Sequence, residues 1–259
     1  MKLVDAHCHL ECEEFAESLD DVMADAARAG IVRLITSSII PEQWPISKSI
    51  SERYPEAVFA WGVHPWYIRP EHESRLPELK NAVDAGASAI GEIGLDKKTE
   101  LVPIALQTKF FEIQLRVAKD LDLPVVIHCR AAFDVLLPIL KRIGVSRTGA
   151  VMHNYSGGAE LARQLSDLGL SFSFGGALTF RNSKKKREVL RAVYPERILL
   201  ETDSPDLPPV EARERPNVPA NILYNLRAAS DILEISEIEI AEVTTLNAAR
   251  IFRFDQAVF

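Results

Sequence analysis

Apolar positions along the chain follow two alternating patterns. Short, nearly unbroken apolar runs occur at 3–7 (LVDAH), 31–37 (IVRLITS), 58–63 (VFAWGV), 88–93 (SAIGEI), 124–128 (PVVIH), 149–153 (GAVMH), 170–174 (LSFSF) and 197–202 (RILLET). Between them apolar residues recur at helical spacing, as in LDDVMADAARAG (19–30), which Gly30 ends, and IALQTKFFEIQLRVAKDLDL (104–123), which stops before Pro124. Strands buried on both faces of a parallel sheet read as such continuous runs. Eight of them alternating with helices over about 250 residues predict an α/β fold, the (β/α)8 TIM barrel. No low-complexity linker cuts the chain, so a single domain over residues 1–259 is expected, with the helices of 217–252 covering the outside or the bottom.

Composition changes this picture little. With 47% hydrophobic and 26% charged residues, 259 residues can bury one large core. The start, MKLVDAHCHL, meets Asp5 before a signal-peptide core could form, and there is no 18-residue apolar stretch, so a cytoplasmic protein without a membrane span is expected. Cys8, Cys12 and Cys129 are too few and odd in number for a disulfide framework or a thiolate zinc site. Cys8 and Cys129 each adjoin a strand histidine, and neighbours on a strand point to opposite faces, so both are expected behind the site. A net charge of −7 argues against a broad basic surface for nucleic acid, although not against phosphodiester chemistry at a local centre. The run KKKR at 184–187 is expected to begin a helix as a solvated face, with phosphate contact at a rim as the alternative.

The polar residues that interrupt the runs gather at one end of them. His7 and His9 end the first strand on a face read as shared with Asp5, while His64 follows the third, Glu92 the fourth, His128 the fifth, His153 the sixth and Asp203 the eighth. Chance gives about 0.14 His-x-His pairs for this composition, so the first pair alone would say little. Five of the six histidines at strand C-termini, the face where such barrels carry their active sites, say much more. His72, in RPEHES, is read as a solvated loop residue. Imidazole with carboxylate suits zinc, manganese or magnesium.

DAHCHL, GVHPW, GEIGLD, QTKFFEIQLRVA, LPVVIHCR, HNYSGG, GGALTF and ETDSP, in this order, resemble the TatD-like metal-dependent hydrolases of the amidohydrolase superfamily over nearly the whole chain. The resemblance implies two divalent ions: His7, His9 and Asp203 on one, His128 and His153 on the other, and Glu92 bridging both where many binuclear relatives use a carbamylated lysine. His64 would contact phosphate or donate a proton, and Arg130 would hold a phosphate oxygen unless a surface salt bridge occupies it.

The activity implied is hydrolysis of phosphodiester bonds in DNA, at ends or single strands, by a metal-bridging hydroxide with Asp203 as general base. A monomer is expected. Trp66, Tyr155 and Phe180 are candidates for stacking on bases, and Glu201, two residues before Asp203, for orienting a histidine ligand. The sequence departs from the family at GLDKK, HNYSGG, Asp206 in SPDLPP and RPNVP, all near the substrate rim. Two other readings stay open: an amidase, lactonase or aminoacyl-ester deacylase on the same ligands, and a binding protein with a structural metal site.

Overall fold

The eight apolar runs form eight strands in a computed structural model that describes residues 1–214 and 216–255. They are β1 (Leu3–Cys8), β2 (Ile31–Ser37), β3 (Ala57–Trp61), β4 (Ala89–Asp96), β5 (Val125–Arg130), β6 (Ala150–Met152), β7 (Leu170–Phe174) and β8 (Ile198–Leu200). Each pairs in parallel with the next, in chain order. The intervening helices are α1 (Leu19–Arg28), α2 (Trp44–Arg53), α3 (Ala82–Ala85), α4 (Ile104–Asp120), α5 (Phe133–Ile143), α6 (Ala159–Asp167) and α7 (Lys184–Val193), followed by α8 (Ile222–Leu233) and α9 (Glu237–Phe252). The termini of α1 follow the helix dipole, with Asp20 and Asp21 in its first turn and Arg28 in its last.

Two apolar cores result. The larger joins outward-facing strand residues such as Phe172, Ile93 and Ile127 to the helices, with Phe110 and Phe111 of α4 and Leu136 of α5 fully buried. The smaller takes Val4, Ala6, Ile35, Ala60, Ala89, Val126, Val151 and Leu199 from seven strands, and Ala248, Ile251 and Phe252 of α9 close it. Helix α9 therefore plugs the bottom of the barrel, which leaves the strand C-termini as the open mouth.

The seam between β8 and β1 is closed just beyond the strands. The Asp203 amide donates to the His7 carbonyl at 2.9 Å, and the His9 amide donates to the Ser204 carbonyl at 2.8 Å. Deeper in, Asp5 accepts from the Thr202 amide at 2.9 Å and the Thr202 hydroxyl at 2.5 Å. Asp5 thus does not join His7 and His9. The β1–β2 register is irregular between Asp5 and Cys8, which breaks the simple alternation read from the sequence, and Asp5 becomes a clasp for the barrel.

His72 also departs from expectation. It lies in a 3₁₀ run, Pro70–Asn81, and is 0% exposed, with Nε2 3.6 Å from the Glu42 carboxylate. Its polar neighbours face water while the turn points its ring inward. Among the described residues no helix is long and apolar enough to cross a membrane.

Candidate metal centre

Five imidazoles converge on one carboxylate. Glu92 Oε2 lies 3.3 Å from His7 Nε2 and 3.5 Å from His9 Nε2. Its other oxygen, Oε1, lies 2.8 Å from His153 Nε2, 3.2 Å from His128 Nδ1 and 3.3 Å from His64 Nε2. Asp203 Oδ1 joins the first group, at 3.3 Å from His7 Nε2 and 3.5 Å from His9 Nε2. Each oxygen of Glu92 thus faces its own cluster of nitrogens.

The outer hydrogen bonds decide which nitrogens carry protons. His9 Nδ1 lies 2.7 Å from the Ser37 carbonyl, an acceptor only, so His9 donates there and turns the Nε2 lone pair of its neutral form toward Glu92 and Asp203. His128 Nε2 lies 3.0 Å from Asp96 Oδ2, so the Nδ1 lone pair faces Glu92 Oε1 and, at 3.2 Å, His153 Nε2. His7 Nδ1 contacts the Ser37 hydroxyl at 3.1 Å, and neither His7 Nε2 nor Glu92 Oε1 makes a well-aligned hydrogen bond although both are buried. Lone pairs aimed at carboxylate oxygens repel unless a cation lies between them. The donor set therefore fits divalent metal, and His7, His9, Asp203, His128, His153 and Glu92 are the residues that could hold it. His64 differs: its Nδ1 accepts the Trp66 amide at 3.2 Å, which leaves the proton on the Nε2 that faces Glu92.

Backbone geometry sets these positions. Asp203 lies three residues beyond β8 with φ +59°, and Asn154, next to His153, has φ +42°; both occupy the left-handed region. Gly94 has φ +155°, and a Cβ there would stand 1.9 Å from the His128 carbonyl oxygen, so only glycine lets β4 lie this close to β5. Glu201 accepts the Asn154 amide at 2.8 Å and the Ser173 hydroxyl, and so braces the turn that carries His153.

Without metal the cluster holds protons instead. Burial opposes charge throughout, but Glu92 and Asp203 outweigh it and raise His7 and His9 above the ordinary imidazole value. His128 is likewise raised, to about 9, by Asp96 and Glu92 against burial. The histidines hold Glu92 and Asp203 well below the usual carboxylate range. At His64 burial wins, and the ring falls to about 4.

The rim residues are placed unequally. Trp66 donates from Nε1 to Asp96 Oδ2 at 2.7 Å and stands edge-on to His64 and His128, so it borders the mouth in a fixed orientation. Arg130 is exposed beside His128, and its side chain makes no ion pair or hydrogen bond among the described residues, which removes the salt-bridge alternative. Tyr155 does not offer a stacking face: it is 1% exposed, packs on Phe133 and Phe172, and donates to the Gly158 carbonyl. Phe180 is partly buried and lies under the Arg213 guanidinium at 4.3 Å. Cys8 and Cys129 are buried in the outer core, behind the histidines.

Two participants escaped the sequence reading. Asp96 was hidden because β4 runs three residues past the Ile93 expected to end it, and its signal was the D of GEIGLD. Lys186, read as part of a solvated face, is instead half-buried, with Nζ on Asn154 Oδ1 at 2.6 Å and the Tyr155 carbonyl at 3.0 Å.

A parallel eight-stranded barrel with imidazole and carboxylate donors gathered at its mouth is the architecture of a metal-dependent hydrolase. The family model described as TatD related DNase matches residues 4–253, and the chain belongs to that family. It is 33% identical over 254 residues to the metal-dependent hydrolase YabD of Bacillus subtilis (98% of this chain, 100% of that protein). It is 34% identical over 260 residues to YcfH of Escherichia coli K12 (98% and 97%). The crystal structure of YjjV, a TatD homolog from Escherichia coli K12, superposes with a TM-score of 0.92 at 29% identity, covering 98% of each chain.

Proposed function

We propose that the chain hydrolyses phosphodiester bonds in DNA, at ends or in single strands, with two divalent ions at the barrel mouth. The division of Glu92 between two groups of donors carries this reading, because one oxygen per group is what a bridging carboxylate needs. His7, His9 and Asp203 would hold one ion and His128 and His153 the other. Bound there, the ions would bring the pKa of water toward neutrality and polarise a phosphoryl oxygen.

The chain's own residues do the rest. Asp203, 7% exposed and kept ionised by His7 and His9, is placed to take a proton from the attacking water and return it to the leaving oxygen. His64 is neutral at working pH and carries its proton on Nε2, so it acts as a hydrogen-bond donor to a phosphoryl oxygen rather than as an acid. Trp66 and Arg130 border the path a strand would take, Arg130 as a charged fork for phosphate. A recessed mouth admits a flexible end more readily than a duplex interior.

The test is degradation of a 5′-labelled single-stranded oligonucleotide by metal-stripped protein with magnesium, manganese or zinc restored singly, beside Glu92→Ala and Asp203→Asn. Shortening that requires metal and is lost in both variants supports the reading. No cleavage by protein carrying two ions per chain overturns it and points to a carbonyl substrate.

A further inference from the structure

Beside His128 and His153 lies a cavity of about 230 Å³, and two cations, Arg130 and Lys186, stand on its wall with Asn154 and Ser156. Among the described residues no carboxylate is within ion-pair distance of either. All three bonds that Lys186 Nζ makes go to neutral oxygens: Asn154 Oδ1, the Tyr155 carbonyl and, at 3.2 Å, the Asn154 carbonyl. Its neighbour Lys185 spans the same loop through the Ser156 carbonyl at 2.9 Å. An ammonium drawn partly out of water without a counter-ion is costly. The cost is greater here because Lys184, Lys185 and Lys186 occupy the first turn of α7, where the helix dipole disfavours cations. Burial accordingly lowers Lys186 to about 8. Glu201 and Asp203 offset part of this from a distance, but among the described residues no carboxylate pairs with the ammonium directly.

We propose that the cavity is an anion subsite, which takes the phosphate neighbouring the scissile one on the same strand, with Lys186 and Arg130 as its specificity-determining residues. Arg130, whose guanidinium has no partner among the described residues, supplies direct hydrogen bonds to the phosphate oxygens. Lys186 has spent its hydrogens on the loop; it supplies charge and fixes Asn154 as part of the wall. The identity of the anion's carrier rests on the phosphodiesterase reading, whereas the anion preference does not. Cations confined to one cavity also let a chain of net charge −7 hold a polyanion without a basic exterior.

The test compares kcat/KM for the dinucleotides TpT, pTpT and TpTp in the metal-loaded wild type, Lys186→Met, Lys186→Arg and Arg130→Gln. A charge-assisted contact predicts that one phosphorylated dinucleotide is preferred over TpT by about tenfold or more, mainly through KM. That preference should shrink several-fold in Lys186→Met and Arg130→Gln and survive in Lys186→Arg. Absence of a preference in the wild type, or its persistence in both variants, overturns the proposal. If no dinucleotide is cleaved, the phosphodiesterase reading fails and the subsite is judged alone. Calorimetric binding of inorganic phosphate and thymidine 5′-monophosphate should then weaken severalfold in both variants, and equal affinity overturns it. Thermal melting establishes that Lys186→Met is folded, and Arg130→Gln, at an exposed position, gives the same readout independently.

Discussion

Asp96 Oδ2 faces His128 Nε2 across 3.0 Å, on the ring nitrogen that does not face Glu92. The same carboxylate accepts Trp66 Nε1 at 2.7 Å and the Lys98 amide at 2.7 Å, and these contacts lower it to about 2 against the effect of burial. Asp96 therefore fixes both the tautomer of His128 and the edge of Trp66. In Asp96→Asn the new amide must turn its NH2 toward one of these donors, and the charge that raises His128 basicity is lost. Metal affinity or activity should fall about 10–100-fold. Competition with a chelator measures the first, and unchanged affinity would show that Asp96 is no more than packing.

Metal has to displace protons from this centre. His128, raised to about 9, is protonated at neutral pH in the metal-free protein, and His7 and His9 are raised in the same direction, so affinity should rise with pH through neutrality and fall as the solution is acidified. Calorimetric titration at pH 7 in buffers of different ionisation enthalpy reads the number released. At least one proton per chain is expected, and none is expected from His64, whose value of about 4 leaves it neutral. A buffer-independent enthalpy would contradict this.

Asp5 links stability to pH in the opposite sense from a salt-bridged carboxylate. Burial raises it from 3.8 to about 7, against the bonds from Thr202 and the His7 amide. The folded chain therefore keeps a proton that the unfolded chain releases. The contribution is fully present below the unfolded value and is lost as pH rises through about 7, at most about 4 kcal/mol across that window. Urea unfolding of metal-stripped protein should show the wild type losing stability relative to Asp5→Asn between pH 5 and pH 8, both values being chosen to bracket the upper part of the shift. Parallel pH profiles would refute the assignment.

Gly94→Ala tests how closely β4 and β5 must approach. The added methyl would meet the His128 carbonyl at 1.9 Å from a backbone with φ +155°, so either strand must shift. A loss of about 3 kcal/mol or more is expected, with weakened metal binding because His128 moves. By contrast Phe252→Ala, in the plug at the far end, should cost about 3–5 kcal/mol and leave the metal stoichiometry intact. Denaturant midpoints and elemental analysis separate the two.

The eight strands were legible because burial on both faces removes polar residues from them, and the donors were legible because they interrupt those runs. What stayed hidden depends on neighbours distant in sequence. Asp5 looked like a partner of His7 until the β1–β2 irregularity and Thr202 claimed it. Tyr155 was placed at the rim by its closeness to His153, yet its ring lies over Gly157, where a Cβ would meet the hydroxyl at 2.0 Å. The glycine pair after it was the available signal. His72 and Lys186 were misread from local polarity, which reports composition and not the direction in which a residue of a turn or of a first helical turn points.

The seam has a consequence for how the protein comes into being. His7 and His9 are among the first residues made, and Asp203, which bonds to the backbone of His7, follows nearly two hundred residues later. A chain emerging from the ribosome carries its first two donors without Asp203 through most of its synthesis, and no N-terminal fragment ending before Asp203 contains the whole donor set. The segment whose backbone closes the barrel on β1 is the one that carries the last donor, so the complete donor set exists only in a chain long enough to close its shape.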